Sequence, residues 1–583
     1  MHNGKGVNMR LKCMVKGLYR YVIVSVAMAV LLLIAVYNAK MTSYLVKWEV
    51  TYYVRDHIFI NLLSVCAVVI FLLVFGRSKM YTVITEKIAD DKFFSKAKFI
   101  LLLTIFLEAA FWAICTQFIP GVDEGEIQQF VCDFMQKDYS TFAPGGYMCR
   151  SADNRGLFLF ECCASVIIGN KNYLVYELIN SFAVSMIYKQ FSEMLEGYGF
   201  HRGIQLSVIV AGILFFPLIG YSIMVYGNLM GIALGVTAIK YELEFFRKNE
   251  WKKACLSALF ITLAVLLKSN MLIYFIAMIL FALLKLTLAG RKEILCFIIV
   301  LLLGYEMQAA VPTCIFEKIT GYELNSPYSY WSFIAMGLQE SELAPGWWNG
   351  YIHSNYWDND GDTQMQAEKA KESVRHSLEL FADDPQYAFS FFTKKIASTW
   401  ANPTFQCFAT LREGSNIEVP DWVSILLSYP GQYMVVKFFN LLEFLILAGA
   451  IIELMISCHN NGEIDRLIFP MILTGGFFFH IFWEAKARYA LLYFVMLIPY
   501  AFMGYAGLAG KIKNRNFTSV DALIKSGRAF CIRRLYFIIL SGILLSVYLY
   551  CYSDNMGGKI LTENTEEYSV YLDEEWQRIT GAE

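Results

Sequence analysis

A group of acidic residues follows the third long apolar run of this chain, where carboxylates can do proton-transfer chemistry. The segment reads FIPGVDEGEIQQF: the apolar run ends at Ile119 and Pro120, and Asp123, Glu124 and Glu126 follow. Proline and glycine end a helix, which predicts a bent segment directly after the run. A carboxylate that borders a region of low dielectric is suited to act as a general base. The alternative is that all three residues are ordinary solvated loop charges.

Candidate binding residues follow at two later places. Lys268 and Asn270 lie in a tight turn between two apolar runs, and Arg488 and Tyr489 lie in the motif EAKARY. Glu484 precedes Arg488 by four residues, a spacing that predicts a pair across one helical turn. Charges beside apolar runs are costly unless they are paired or reach the surface. Anion binding and simple snorkelling of the cations both remain open.

The composition identifies the elements that must position these residues as membrane helices. The chain has 583 residues, of which 57% are hydrophobic and only 17% are charged. Runs such as YVIVSVAMAVLLLIAVYNA and FILLLTIFLEAAFWAICTQFI are long enough to cross the ~30 Å hydrocarbon core of a bilayer. The net charge of -1 provides no basic surface for nucleic acid, so we expect no nucleic-acid partner. Membrane lipid is the expected environment.

The apolar runs predict an all-α polytopic membrane protein with about 13 transmembrane helices. The predicted spans are 20–38, 57–76, 99–119, 171–190, 204–219, 221–242, 253–268, 270–286, 293–311, 432–457, 467–483, 488–508 and 533–552. A further apolar stretch, 155–168, has only about 14 residues, which is short for a span. We interpret it as a re-entrant or interfacial helix.

The distribution of lysine and arginine predicts the orientation. With a cytoplasmic N-terminus, the inside segments carry most of the basic residues, provided that 155–168 does not cross. We therefore expect a multi-pass protein of the plasma membrane with an extracytoplasmic C-terminus. The predicted parts are an N-terminal segment with two extra helices (1–98), a transmembrane core with a first loop at 120–170 (99–311), a large outside loop (312–431), C-terminal helices (432–552) and an acidic outside tail (553–583).

The large outside loop 312–431 is far longer than a connection requires. Within it, Ala388, Phe392, Ile396 and Trp400 recur every four residues, which predicts an amphipathic helix lying on the outer leaflet. A small cap without membrane contact is the alternative. In the first outside loop, Cys132 and Cys149 either form a disulfide or remain free thiols.

The order of these motifs resembles a known family. A span with an acidic pair just outside it, then KDYSTFAPGGYM, a short apolar segment ending in GNKNY and a span beginning YELINS are similar to the GT-C superfamily of polyprenyl-phosphate-sugar-dependent glycosyltransferases. The nearest resemblance is to the bacterial branch near glycosyltransferase family 39 and the protein O-mannosyltransferases. APGWWNG, WANPTFQ and HIFWEAKARYALLYFVMLIPYAF resemble Gram-positive members, and the likeness covers about residues 99–508.

The resemblance implies a GT-C-like fold, with outside loops that carry juxtamembrane helices, and a mechanism. Asp123 matches the position of the family's catalytic base, with Glu124 beside it. Arg155 lies where the family has a histidine or lysine element, and we expect it to supply the cation instead. With Lys268, Asn270, Arg488 and Tyr489 it completes the substrate-binding set. The implied partners are a polyprenyl-phosphate-linked sugar donor and a cell-envelope glycan, lipid or protein acceptor. A divalent cation is the one candidate cofactor.

Other classes of protein remain open on the sequence alone. A transporter or lipid-carrier flippase would show broken helices and mid-membrane charges, whereas Glu108 and Glu306 are the main charges within spans here. An O-antigen polymerase or ligase would use arginines and a histidine of the large loop rather than Asp123. A catalytically inactive scaffold with the same fold is the last alternative.

Overall fold

The computed structural model describes residues 2–46, 49–56, 58–76, 78–413, 419–427, 431–459, 464–513, 542, 544–545 and 560–561. The predicted span 533–552 and the acidic tail lie outside the described residues, apart from these last few positions. The N-terminal half contains α1 (His2–Lys40), β1 (Met41–Val46), β2 (Val50–Arg55), α2 (Ile58–Phe75), α3 (Lys79–Ala89), α4 (Asp91–Thr116), α5 (Val122–Met135), α6 (Tyr147–Arg150), α7 (Arg155–Ile168), α8 (Tyr173–Gly197), α9 (Arg202–Leu214), α10 (Phe216–Gly220), α11 (Asn228–Lys248), α12 (Trp251–Leu267) and α13 (Leu272–Ala289).

The second half continues as helices up to residue 513. It contains α14 (Lys292–Thr320), α15 (Tyr330–Gly337), α16 (Tyr351–Trp357), α17 (Thr363–Asp383), α18 (Pro385–Trp400), α19 (Cys407–Glu413), α20 (Asp421–Leu427), α21 (Gly431–His459), α22 (Ile468–Phe482), α23 (Ala487–Phe494) and α24 (Leu497–Lys513), with β3 (Ile560–Leu561) near the end of the chain. Every predicted span up to residue 508 coincides with a helix or a pair of helices.

Six of these helices are long and apolar enough to cross a membrane. They are Lys12–Lys40, Asp91–Thr116, Ser269–Ala289, Lys292–Thr320, Met434–Ser457 and Ile464–Phe482. Two bent pairs raise the number to at most eight, with 56° between Arg202–Leu214 and Phe216–Ile223, and 47° between Ala487–Phe494 and Leu497–Gly510. The prediction of a helical membrane protein is confirmed at this level. The short helix α7, which matches 155–168, is not among the candidate spans.

A β-hairpin interrupts the helical architecture between α1 and α2, and the sequence analysis missed it. Strands β1 and β2 pair antiparallel, and β3 adds to β2 in parallel. The hairpin is fixed to the long segment 312–431, since Ser43 N donates to Ala401 O at 2.7 Å and Thr51 N donates to Leu343 O at 3.0 Å. The connection between α1 and α2 therefore contains regular secondary structure.

The helix predicted over PQYAFSFFTKKIASTW is present as α18, but its position differs from the prediction. Ile396 and Trp400 are buried in the main hydrophobic core, and the Trp400 ring lies 5.7 Å from that of Phe477 on α22. Lys395 is also buried and donates to the carbonyls of Ile481 and Trp483 at 2.9 Å. The apolar face of α18 thus packs against the protein instead of the outer leaflet, because α1 and α22 cover it.

Candidate active site

The acidic pair lies in the first turn of α5. Helix α4 ends at Thr116, Gln117 adopts a left-handed conformation, and α5 begins after Gly121. A side chain at Gly125 would place its Cβ 2.4 Å from the Pro120 carbonyl oxygen, so glycine permits this tight entry. Acidic groups in a first turn are stabilised by the helix dipole. This local geometry fixes both carboxylates at the end of a candidate span.

Tyr226 links the carboxylates to Lys268. Its hydroxyl lies 3.5 Å from Oδ2 of Asp123, and the Lys268 ammonium lies 3.8 Å from the centre of its ring. Asn154 donates to the same hydroxyl oxygen at 3.2 Å, which leaves the hydroxyl proton free to point at Asp123. Gly227, in the left-handed region with a φ of 74°, allows the chain to approach Leu267; a Cβ there would lie 2.3 Å from the Leu267 carbonyl oxygen.

Charges of both signs converge around Lys268. Lys268 is 8% exposed, and its ammonium is within electrostatic reach of the carboxylates of Asp123, Glu124 and Asp153 and of the Arg488 guanidinium. Among the residues that the structure describes, the side-chain ammonium of Lys268 has no hydrogen bond or ion pair, and it contacts the face of the Tyr226 ring. A buried ammonium held mainly by an aromatic face is suited to attract an anion.

Glu124 is the most buried carboxylate of the cluster. Burial raises its pKa from 4.5 to about 7, and the positive charges of Arg488 and Lys268 act in the opposite direction. Its Oε2 atom is buried without a hydrogen-bond partner among the described residues. Glu124 therefore takes up a proton near neutral pH, whereas Asp123 is only half-buried beside it.

Arg488 and Tyr489 are brought to this cluster by the start of α23. Nη2 of Arg488 lies 3.7 Å from Oε1 of Glu49, and the Tyr489 hydroxyl donates to Oε2 of Glu484 at 3.3 Å. Arg488 thus pairs with Glu49, and its positive charge also acts on Glu484, the partner that the four-residue spacing predicted. Lys486, which caps α23, donates to Oε2 of Glu49 at 2.6 Å.

Arg155 is placed differently from the other predicted cations. Its guanidinium is buried and donates to the carbonyls of Met148 at 2.9 Å, Cys149 at 2.8 Å and Leu324 at 3.4 Å, and to Thr313 Oγ1 at 3.2 Å. These bonds tie the first outside loop to α14 and the large loop. The phosphate-binding role predicted for Arg155 is therefore not supported by its contacts, which are those of a structural residue.

Asn270 lies two residues beyond Lys268, in the short turn Ser269–Met271. It is within hydrogen-bonding reach of the Tyr493 hydroxyl, which also lies 3.5 Å from Nε2 of His480. Nδ1 of His480 contacts the Glu484 carbonyl oxygen at 2.7 Å, so Nδ1 carries the proton. The His480 ring stacks on Tyr489 at 5.3 Å and supports it from behind. Asn270 thus belongs to this supporting layer.

The pairing of two cysteines in the segment 120–170 and the possible metal ligands were left open by the sequence. Cys132 and Cys149 are both free thiols. Within the described ranges, no group of three or more histidine, cysteine, aspartate or glutamate residues is arranged to hold a metal ion.

Comparison with protein-family models finds no match to this chain, and comparison with curated proteins also finds none.

Proposed function

We propose that this protein is a membrane glycosyltransferase of the GT-C type, which moves a sugar from a polyprenyl-phosphate donor to a cell-envelope acceptor. The observation that carries the proposal is the convergence of Asp123, Lys268 and Arg488, three residues far apart in the sequence, on one cluster at the ends of helices. A carboxylate base beside two cations is what transfer from a sugar phosphate requires.

In the proposed reaction, Asp123 accepts the proton of an acceptor hydroxyl as its oxygen attacks the anomeric carbon. The bond between that carbon and the phosphate oxygen breaks, and the polyprenyl phosphate leaves with the electron pair. Lys268 and Arg488 stabilise the negative charge on the leaving phosphate. A single displacement of this kind inverts the configuration of the sugar. Glu124 lies beside the base, and because its pKa is about 7, it is partly protonated at neutral pH.

The proposal includes the finer topology. With 13 spans, a cytoplasmic N-terminus and an extracytoplasmic C-terminus, Asp123, Lys268 and Arg488 would lie on the outer face of the plasma membrane. A donor with a polyprenyl chain would be held by membrane lipid while its phosphate reaches the cations. The acceptor hydroxyl would arrive from the outside, between the first outside loop and the large loop.

The test is a transfer assay with the full-length protein in liposomes. Radiolabelled polyprenyl-phosphate sugars would be supplied as donors with extracted cell-envelope glycans as acceptors, and labelled product would be counted. Transfer from at least one donor, with release of polyprenyl phosphate, is the expected result. Transport of the lipid-linked donor across the bilayer without transfer would instead support a flippase, and absence of both would support a scaffold.

A further inference from the structure

The tip of the N-terminal hairpin reaches the cationic side of the candidate active site. Glu49 lies on the tip between β1 and β2, and its φ of 67° is in the left-handed region, which favours glycine. A glutamate in a conformation better suited to glycine indicates that its side chain has a role at this position.

Hydrogen bonds from both strands fix the hairpin to the rest of the protein. Besides the backbone bonds of Ser43 and Thr51, Asn402 Nδ2 donates to Ser43 O and Tyr53 Oη donates to Lys394 O, each at 3.0 Å. At the base of the hairpin, Asp56 accepts from Asn440 at 3.1 Å. The position of Glu49 is therefore determined by the fold rather than by its own side-chain contacts.

The Glu49 carboxylate is shared among groups that are themselves suited to bind an anion. Lys486 donates to one oxygen at 2.6 Å, and the other oxygen faces Arg488 at 3.7 Å and accepts from the Gln406 amide. The Glu49 and Lys486 side chains are only 10% and 9% exposed, so solvent screens this interaction weakly. Lys486 and Arg488 also stand at the start of α23, where the helix dipole disfavours positive charge.

Arg488 thus lies between two sets of anions. It faces Glu49 at 3.7 Å, its charge has the strongest effect of any charge on Glu124, and it also acts on Lys268. A phosphate bound between Lys268 and Arg488 would share Arg488 with the Glu49 carboxylate. Because like charges repel across a few ångströms in a poorly screened site, Glu49 would weaken the hold on that phosphate.

We propose that Glu49 is the charge-balancing residue of the active site, which positions Lys486 and Arg488 and limits how tightly the leaving polyprenyl phosphate is held. This inference rests on the proposed glycosyltransferase function. It predicts that neutralising Glu49 strengthens phosphate binding and slows turnover through slower product release. A residue that only supported the fold would have the opposite effect on binding when changed.

The experiment compares wild type with Glu49→Gln, Glu49→Asp and the exposed outer-loop control Glu323→Gln. Binding of a polyprenyl phosphate and of inorganic phosphate is measured on the full-length protein in detergent, and kcat and KM are measured with the transferred donor. We expect Glu49→Gln to bind polyprenyl phosphate at least about tenfold more tightly, with lower kcat and lower KM. Glu49→Asp should lie between wild type and Glu49→Gln, and Glu323→Gln should match wild type.

Unchanged or weaker binding in Glu49→Gln, with an unaltered melting temperature, would overturn the inference. If Glu49→Gln does not fold, weaker or equal binding in Glu49→Asp would overturn it in the same way. Failure of the wild type to transfer sugar would overturn the proposed function but not a measured gain in phosphate binding. Tightening for inorganic phosphate alone would show that Glu49 acts on phosphate without regard to the lipid, against the proposed role in product release.

Discussion

The Tyr226 hydroxyl lies 3.5 Å from Oδ2 of Asp123, although the two residues are 103 positions apart in the chain. The same tyrosine supports Lys268 on the face of its ring, so one side chain contacts both the proposed base and a proposed phosphate-binding cation. Its hydroxyl and its ring therefore have separable roles.

Tyr226→Phe removes the hydroxyl but keeps the aromatic face under Lys268. We expect kcat to fall about three- to tenfold, because one hydrogen bond that orients Asp123 is lost, while KM for the donor stays unchanged. Tyr226→Leu should also raise the donor KM, because the ring beneath Lys268 is lost. Steady-state kinetics of the two variants in parallel would check this, and equal effects on KM would count against the division of roles.

Glu124 makes stability depend on pH. Burial raises its folded-state pKa from 4.5 to about 7, so the folded chain holds this proton more tightly than the unfolded chain does. The stability that this proton contributes is present below about pH 4.5 and is lost as the pH rises through about 7. Glu124→Gln should therefore have a free energy of unfolding on the order of 3 kcal/mol higher than wild type at pH 8, and about the same as wild type at pH 4.5.

Melting curves of the detergent-solubilised protein at the two pH values would test this. Glu323→Gln is the control, since Glu323 is exposed and lies beyond α14, away from the cluster. If Glu124→Gln is less stable than wild type at pH 8, the neighbouring cations must favour the ionised form of Glu124 in the wild type, and the prediction is wrong.

Arg155 is expected to act in folding rather than in substrate binding. Arg155→Met removes a charged donor from the carbonyls of Met148 and Cys149, and should lower the free energy of unfolding by about 2–3 kcal/mol. The donor KM of the folded protein should not change. Lys369→Met, which removes a cation paired with Glu372 on the exposed surface of α17, should cost less than about 1 kcal/mol. A donor KM raised tenfold in a stable Arg155→Met variant would restore the phosphate-binding role.

Much of the site could be predicted because its residues lie at the ends of apolar runs. Asp123, Lys268 and Arg488 each follow or precede such a run, and the orientation predicted from the basic residues would put the three ends on one side. The four-residue spacing likewise located α18, because helical periodicity is a local property. Which surface α18 packs against depends on distant helices, and this part of the prediction was wrong.

The missed residues depend on long-range packing. Tyr226 contacts Asp123 across 103 positions of the chain, and Glu49 contacts Lys486 across 437 positions. No local sequence pattern marks such pairs. The hairpin itself had a signal, since MTSYLV and VTYYVR are rich in β-branched and aromatic residues and are separated by a short connection. The hairpin lies between the predicted spans 20–38 and 57–76, and this position favours a simple connecting loop.

The most direct test of the proposed function is the transfer activity of Asp123→Asn. This variant keeps the size and hydrogen bonding of the side chain but cannot accept the acceptor's proton. Asp133→Asn, on the same helix α5, is the matched control. If Asp123 is the general base, Asp123→Asn should lose about 10²- to 10⁴-fold in kcat while its expression and melting temperature match those of wild type, and Asp133→Asn should remain active. Full activity of folded Asp123→Asn would contradict the assignment of the base and the mechanism built on it.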